Sequence, residues 1–160
     1  MRVLGIDPGL VRTGYGCIDV DRHGRIALVE AGVFRLSATK PVSHRLSQLW
    51  SDLRESFEEL KPERVAVERI FVDQRYLKTA VVMAHARGVV LLAAQECGVP
   101  LGEVAPAQAK KALTGNGRAT KRQVQLAVME CCGLERAPAP ADVSDAIAIA
   151  LAYARRIPAH

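Results

Sequence analysis

The chain has 160 residues, 49% hydrophobic and 24% charged, which excludes general disorder and a coiled coil and fits one folded domain. At that length a compact fold buries ~68–70% of its unfolded surface, so stability needs neither a metal nor a disulfide staple. Lys and Arg number 22 against 17 Asp and Glu, a net charge of +5 that suits a polyanionic partner.

The apolar run over 2–7 ends at Asp7, where Pro8-Gly9 breaks the chain. Residues 13–20 and 26–34 have strand character and are joined through Arg22-His23-Gly24, so the first three strands are predicted to form an antiparallel meander. From 43 the period changes. Leu46, Leu49, Trp50, Leu53, Phe57 and Leu60 recur at helical spacing until Lys61-Pro62 stops the helix. Residues 64–68 form a short fourth strand, followed by an irregular polar loop over 69–78.

A long helix over 77–97 carries apolar side chains on two faces. Ala80, Val81, Ala84, Gly88, Leu91 and Leu92 form one stripe; Val82, Val89, Val90 and Ala93 lie on another. Both need cover, one from the sheet and the other from a second subunit. A fifth strand is predicted near 100–105, then helices over 107–113 and 120–131 separated by Gly115-Asn116-Gly117. A proline-bearing loop over 135–141 precedes a final helix over 142–156. The predicted fold class is α/β, a five-stranded mixed sheet flanked by helices, in a single domain spanning 1–160.

Cys17, Cys97, Cys131 and Cys132 form no C-x-x-C and no His cluster stands at ligand spacing, so reduced thiols are expected rather than a zinc site. The N-terminal apolar run is too short for a signal sequence, and no stretch of ~18 uncharged apolar residues follows. The expectation is a cytoplasmic protein with no membrane partner.

Acidic side chains are usually solvated, but four stand in unusual positions. Asp7 and Glu68 each end an apolar strand, and strand carboxyl ends line the ligand crevice of an open α/β sheet. Asp142 and Asp145 are three apart at the start of an apolar helix and share a face. Singly, each has a bland account: Asp142 as a helix cap or first-turn charge, Asp7 as an Asx turn. Jointly these accounts persuade less. Carboxylates converging in one cleft repel one another unless cations neutralise them. Oxygen ligands without His or Cys suit Mg²⁺ or Mn²⁺, and two such ions ~3.5–4 Å apart can clamp a phosphodiester during hydrolysis. Between Glu103 and Glu130 there is no acid, but there are Lys110, Lys111, Arg118, Lys121 and Arg122. A solvated helical face is the common fate of such a run, and contact with backbone phosphates is the functional alternative.

Gly5-Ile6-Asp7-Pro8-Gly9, followed by Thr13-Gly14-Tyr15-Gly16, resembles the N-terminal signature of the RuvC family of Holliday junction resolvases. Val67-Glu68-Arg69-Ile70-Phe71, Ala86-Arg87-Gly88, Lys121-Arg122-Gln123-Val124-Gln125 and Ala141-Asp142-Val143-Ser144-Asp145-Ala146 match in the family's order across nearly the whole chain. The resemblance implies an RNase H-like fold, a homodimer, and metal-dependent nicking of two symmetry-related strands at a four-way DNA junction during recombination and repair. It also implies a branch-migration helicase complex acting on the same junction. By position, Asp7, Glu68, Asp142 and Asp145 correspond to the family's acidic metal-binding tetrad, with two Mg²⁺ or Mn²⁺ ions per subunit. Some members carry His at the penultimate position, where this chain has Asp142. Lys110 and Lys121 match lysines placed near the scissile phosphate, and Phe71 matches an aromatic that meets DNA bases.

The loop over 69–78 interleaves Phe71 and Tyr76 with Arg75 and Lys78. Base–aromatic stacking is worth ~1–3 kcal/mol per base, so Phe71 and Tyr76 are expected to hold the junction core while Arg75 and Lys78 hold the strands. Burial under the loop is the competing fate of Phe71. Lys111, Arg118 and Arg122 are expected to hold backbone phosphates. Two other classes compete: an actin-like ATP-binding phosphotransferase domain, which normally works as a pair of domains, and a non-catalytic junction-binding module, in which four converging acids would weaken phosphate binding.

Overall fold

The computed structural model describes residues 1–70 and 74–157. Strands β1 (Arg2–Asp7), β2 (Arg12–Val20) and β3 (Ile26–Arg35) form the antiparallel meander expected from their turns. β4 (Arg64–Glu68) and β5 (Leu101–Val104) add in parallel on the other side of β1, giving a mixed sheet in the order β3-β2-β1-β4-β5. The helices are α1 (Val42–Leu60), α2 (Leu77–Glu96), α3 (Pro106–Thr114), α4 (Lys121–Cys132) and α5 (Ala141–Ala154).

Alternation along the strands divides the interior into two layers. Val3, Ile18, Ala66 and Val104 point to α3, α4 and α5. Leu4, Ile6, Cys17, Val65 and Val67 point to α1 and α2. Helix α5 is apolar for most of its length because it lies directly on the sheet. A Cβ at Gly5 would stand 2.2 Å from the Ala146 carbonyl oxygen, and one at Gly14 2.1 Å from that of Asp142. Those glycines let helix backbone rest on strand backbone. Gly5→Ala forces α5 outward with no rotamer to relieve it, so a loss of about 3 kcal/mol is expected. At ~2–4 °C per kcal/mol, calorimetry should record a fall in Tm of about 10 °C. An unchanged Tm would mean that α5 does not sit on β1.

Most predicted boundaries agree with the structure to within two residues, but the segment after β4 differs. Gln74–Tyr76 is a 3₁₀ turn running straight into α2, so Lys78 belongs to the helix rather than to a loop. The expected role of Phe71 lies outside the described residues. The two stripes of α2 are also redrawn. Val90 and Ala93, grouped with Val82, are fully buried beside Ala86, whereas Val82 is 39% exposed. The outward face carries Leu77, Val81 and Leu92, each about half exposed, in line with Ala84 and Gly88. By length and composition α2 could cross a membrane (mean hydropathy 1.5). Its seat against the sheet and the ion pair of Arg87 with Glu103 make it an inner helix with an uncovered outer face.

Candidate active site

β1 and β4 run parallel with Ile6 opposite Val67, so Asp7 and Glu68 emerge side by side at adjacent carboxyl ends. Thr13 steadies the turn beyond Asp7. Its buried hydroxyl donates to the Gly9 carbonyl (2.7 Å) and accepts from the Gly9 N–H (3.1 Å). From above the sheet, α5 delivers Asp142 from its first turn and Asp145 from the start of its second. Gly14, the register partner of Asp7, lies directly beneath the Asp142 carbonyl. The close seat of α5 thereby gathers all four acids at one end of the sheet.

A cavity of about 330 Å³ opens there, with Asp7, Glu68, Asp145, Lys110 and Lys121 on its wall and Ala109, Val124 and Ala148 beneath them. Asp142 stands outside that wall, paired with Arg12 (Nε to Oδ2 3.3 Å). Lys121 Nζ lies 3.8 Å from Asp145 Oδ2. Helix capping does not account for Asp142, because α5 begins at Ala141 and no side chain caps it, but Asp142 does stand in the first turn, where a negative charge is favourable. Nor is Asp7 explained by an Asx turn, since among the described residues no backbone N–H donates to its side chain.

The electrostatics follow from crowding. Burial, then the negative charges of Glu68, Asp145 and Asp142, push the Asp7 carboxyl up to about 8. Burial also raises Glu68, opposed by the hydrogen bond from Asp7 and by Lys121 and Lys110. Asp145 is raised by burial, with Lys121 opposing and Asp142 adding. Together Asp7 and Glu68 hold a proton more tightly than solvated carboxyls do. That proton relieves the charge that a cation would otherwise offset.

The donor set fits a hard divalent cation: carboxylate oxygens, partly buried, with more negative charge than they can hold bare. Among the described residues no three Asp, Glu, His or Cys side chains close around one point. Each α5 carboxylate instead has a cation beside it, Arg12 at Asp142 and Lys121 at Asp145. Sequence reading missed Arg12, whose partner is reached only through the register of β2 and the crossing of α5.

The remaining basic candidates sit outside the cavity. Lys111 on α3, Arg118 before α4 and Arg122 in the first turn of α4 are exposed, on the same segment as Lys110 and Lys121. Tyr76 is 63% exposed with the Arg75 guanidinium carbon 5.8 Å from its ring centre, and Lys78 is exposed nearby in α2. Tyr76 does not enter the core.

The family model described as crossover junction endodeoxyribonuclease RuvC matches residues 3–153. The enzyme of that name from Leifsonia xyli is 43% identical over 156 residues, 98% of this chain and 74% of the relative. Its counterpart from Syntrophomonas wolfei is 42% identical, covering 96% of this chain and 88% of the relative. Among solved structures, T. thermophilus RuvC in complex with a Holliday junction substrate superposes with a TM-score of 0.90 at 38% identity, covering 96% of this chain and 93% of that one.

Proposed function

The chain belongs to the RuvC family of crossover junction endodeoxyribonucleases, and on that premise we propose that the pocket at the end of its sheet performs junction cleavage. It is an enzyme of the RNase H-like fold that resolves four-way DNA junctions in recombination and repair. Its substrate reading rests on one observation above the others: four acids and two lysines from β1, β4, α3, α4 and α5 meet at one end of the sheet, where burial and acidic neighbours raise the Asp7 carboxyl well above its usual range.

Asp7, Glu68, Asp142 and Asp145 would hold divalent cations, Mg²⁺ or Mn²⁺, two per subunit. When bound, such ions activate the attacking water and stabilise charge on the phosphodiester oxygens. The chain's own groups do the rest. Arg12 pairs with Asp142 and holds its orientation. Lys110 and Lys121 bring positive charge to the pocket wall, where charge develops on the phosphate. Lys111, Arg118 and Arg122 hold backbone phosphates along the approach. Tyr76, with Arg75 and Lys78, holds the junction core, and Phe71 is expected to join it. A second copy covers the outer face of α2, so that a homodimer presents two sites to a nearly two-fold substrate. The whole of 1–160 acts as one nuclease domain in the cytoplasm, alongside a branch-migration helicase complex. Neither an ATP-binding phosphotransferase nor a non-catalytic module makes use of four acids beside two lysines.

The test is a synthetic four-way junction incubated with and without Mg²⁺, beside linear duplex of the same sequence. Paired symmetric nicks in the junction alone, only with Mg²⁺, are expected. Binding without product would leave the non-catalytic module. A second outcome separates the lysines: Lys121→Ala should lower single-turnover cleavage about 10²-fold while junction affinity changes little. Weaker binding with intact single-turnover cleavage would instead place Lys121 among the phosphate holders.

A further inference from the structure

Ala86-Arg87-Gly88 stands out in the sequence, yet no part of the cleavage pocket includes it. Arg87 lies in the sheet-facing half of α2 with its side chain only 19% exposed. A charge in that position needs a partner, and Arg87 Nη2 finds Glu103 Oε1 on β5. Arg87 Nε is buried with no hydrogen-bond partner, so Glu103 alone sets this guanidinium's orientation among the described contacts. The second oxygen of the same carboxylate, Oε2, accepts from Arg69 Nε at 3.3 Å. Arg69 is the residue immediately after Glu68.

The sheet register gives this bridge a direction. Glu103 is opposite Val67, whose side chain faces α1 and α2, and Glu68 is opposite Val104, which faces α5. The bridge therefore lies under the sheet while the Glu68 carboxyl works above it. One backbone bond and one side-chain bond close the frame: the Arg69 N–H donates to the Val104 carbonyl at 2.9 Å, and Arg156 Nη1 donates to the Glu103 carbonyl at 2.9 Å. With the side chain of Arg69 held from below and its N–H held from β5, the peptide after Glu68 has little freedom.

We propose that Glu103 is a positioning residue for Glu68, joining Arg69 and Arg87 so that the end of β4 is aimed at the metal site and locked to α2. The proposal rests on Glu68 being a metal ligand. Groups that orient a ligand from behind typically change metal affinity or activity by 10–100-fold when lost. The same bridge couples α2, whose outer face a second copy would cover, to the aim of one ligand.

The experiment measures Mn²⁺ binding to the full chain by calorimetry, without DNA, for wild type, Glu103→Gln, Arg69→Gln and Arg87→Lys. Glu103→Gln should weaken Mn²⁺ about 10-fold and raise by the same factor the Mg²⁺ needed for half-maximal single-turnover cleavage. Junction affinity in EDTA should stay at the wild-type value, which separates aim from substrate binding. Arg69→Gln removes only the exposed arm and should shift Mn²⁺ affinity in the same direction by less. Arg87→Lys keeps the charge but not the guanidinium fork and should weaken Mn²⁺ by less than Glu103→Gln does. Wild-type Mn²⁺ affinity in both Glu103→Gln and Arg69→Gln would overturn the proposal, whatever happens to Tm. If Glu103→Gln does not fold, Arg69→Gln decides alone. A wild type that binds no Mn²⁺ would overturn the metal-site reading, and the positioning role with it, before any variant is compared.

Discussion

Asp7→Asn is expected to abolish junction cleavage while leaving junction binding intact or improved. Asn keeps the size of Asp and an N–H that can still donate to Glu68, so the fold has no reason to change. It removes the carboxylate at the centre of the acidic group, the one pushed highest by burial and by its three neighbours. Losing a hard anionic ligand removes several kcal/mol of transition-state stabilisation, and at 1.36 kcal/mol per tenfold a drop of about 10³-fold or more follows. Removing a carboxyl that faces the phosphate backbone cannot weaken electrostatic attraction to DNA. Full activity in Asp7→Asn would end the assignment. The same variant carries a pH signature in metal-free buffer. The Asp7 carboxyl is raised on folding from 3.8 to about 8. Its contribution to stability is therefore fully present below about pH 4 and is lost as pH rises through about 8. Asn has no such loss. Tm of Asp7→Asn should exceed that of wild type at pH 8, and the gap should close as pH falls toward 4; a gap independent of pH would contradict the crowding described at the pocket.

Val81→Glu should convert a dimer to a monomer and leave the junction without paired nicks. Val81 is 55% exposed on the outer face of α2, so a carboxylate there costs the isolated subunit little. Across a two-fold interface the charge appears twice, buried and unpaired, which is far more expensive than the contact it replaces. Val82→Glu, beside it and 39% exposed, should act in the same direction. Sedimentation at micromolar concentration reads the mass directly. A variant that stays dimeric would move the interface off α2, and a monomeric wild type would remove it altogether.

Much of this was legible in the residues because the chemistry sits where local pattern changes. Asp7 and Glu68 stand out as acids ending apolar strands, and Asp142 with Asp145 as acids opening an apolar helix. The parallel register that sets Asp7 beside Glu68 was not legible: a mixed sheet is expected from the elements, but which strand neighbours β1 is settled only by the fold. Other features depend on tertiary placement. Arg12 reads as an ordinary exposed arginine until β2 and α5 are brought together, and only then does Asp142 have a partner. Gly5 and Gly14 read as weak points in strands until the helix above them is in place. The stripes of α2 were mis-sorted because a helix apolar on both sides has no preferred direction in its pattern; Ala86, Val90 and Ala93 are chosen by the sheet, not by hydrophobicity. Tyr76 falls in a 3₁₀ turn that no apolar periodicity marks, while α2 itself starts at Leu77, where the pattern places it.

The glycine seam under α5 has a consequence for how such a domain tolerates change. Peptide atoms are identical in every residue, so a spacing set by backbone against backbone does not drift when side chains elsewhere are exchanged. Methyl groups can be traded within the two apolar layers, and the helices over them can tilt to suit, while the span from the strand-end acids to the α5 acids stays constant. The spacing of the four acids is written in main chain, and the rest of the interior is free to vary around it.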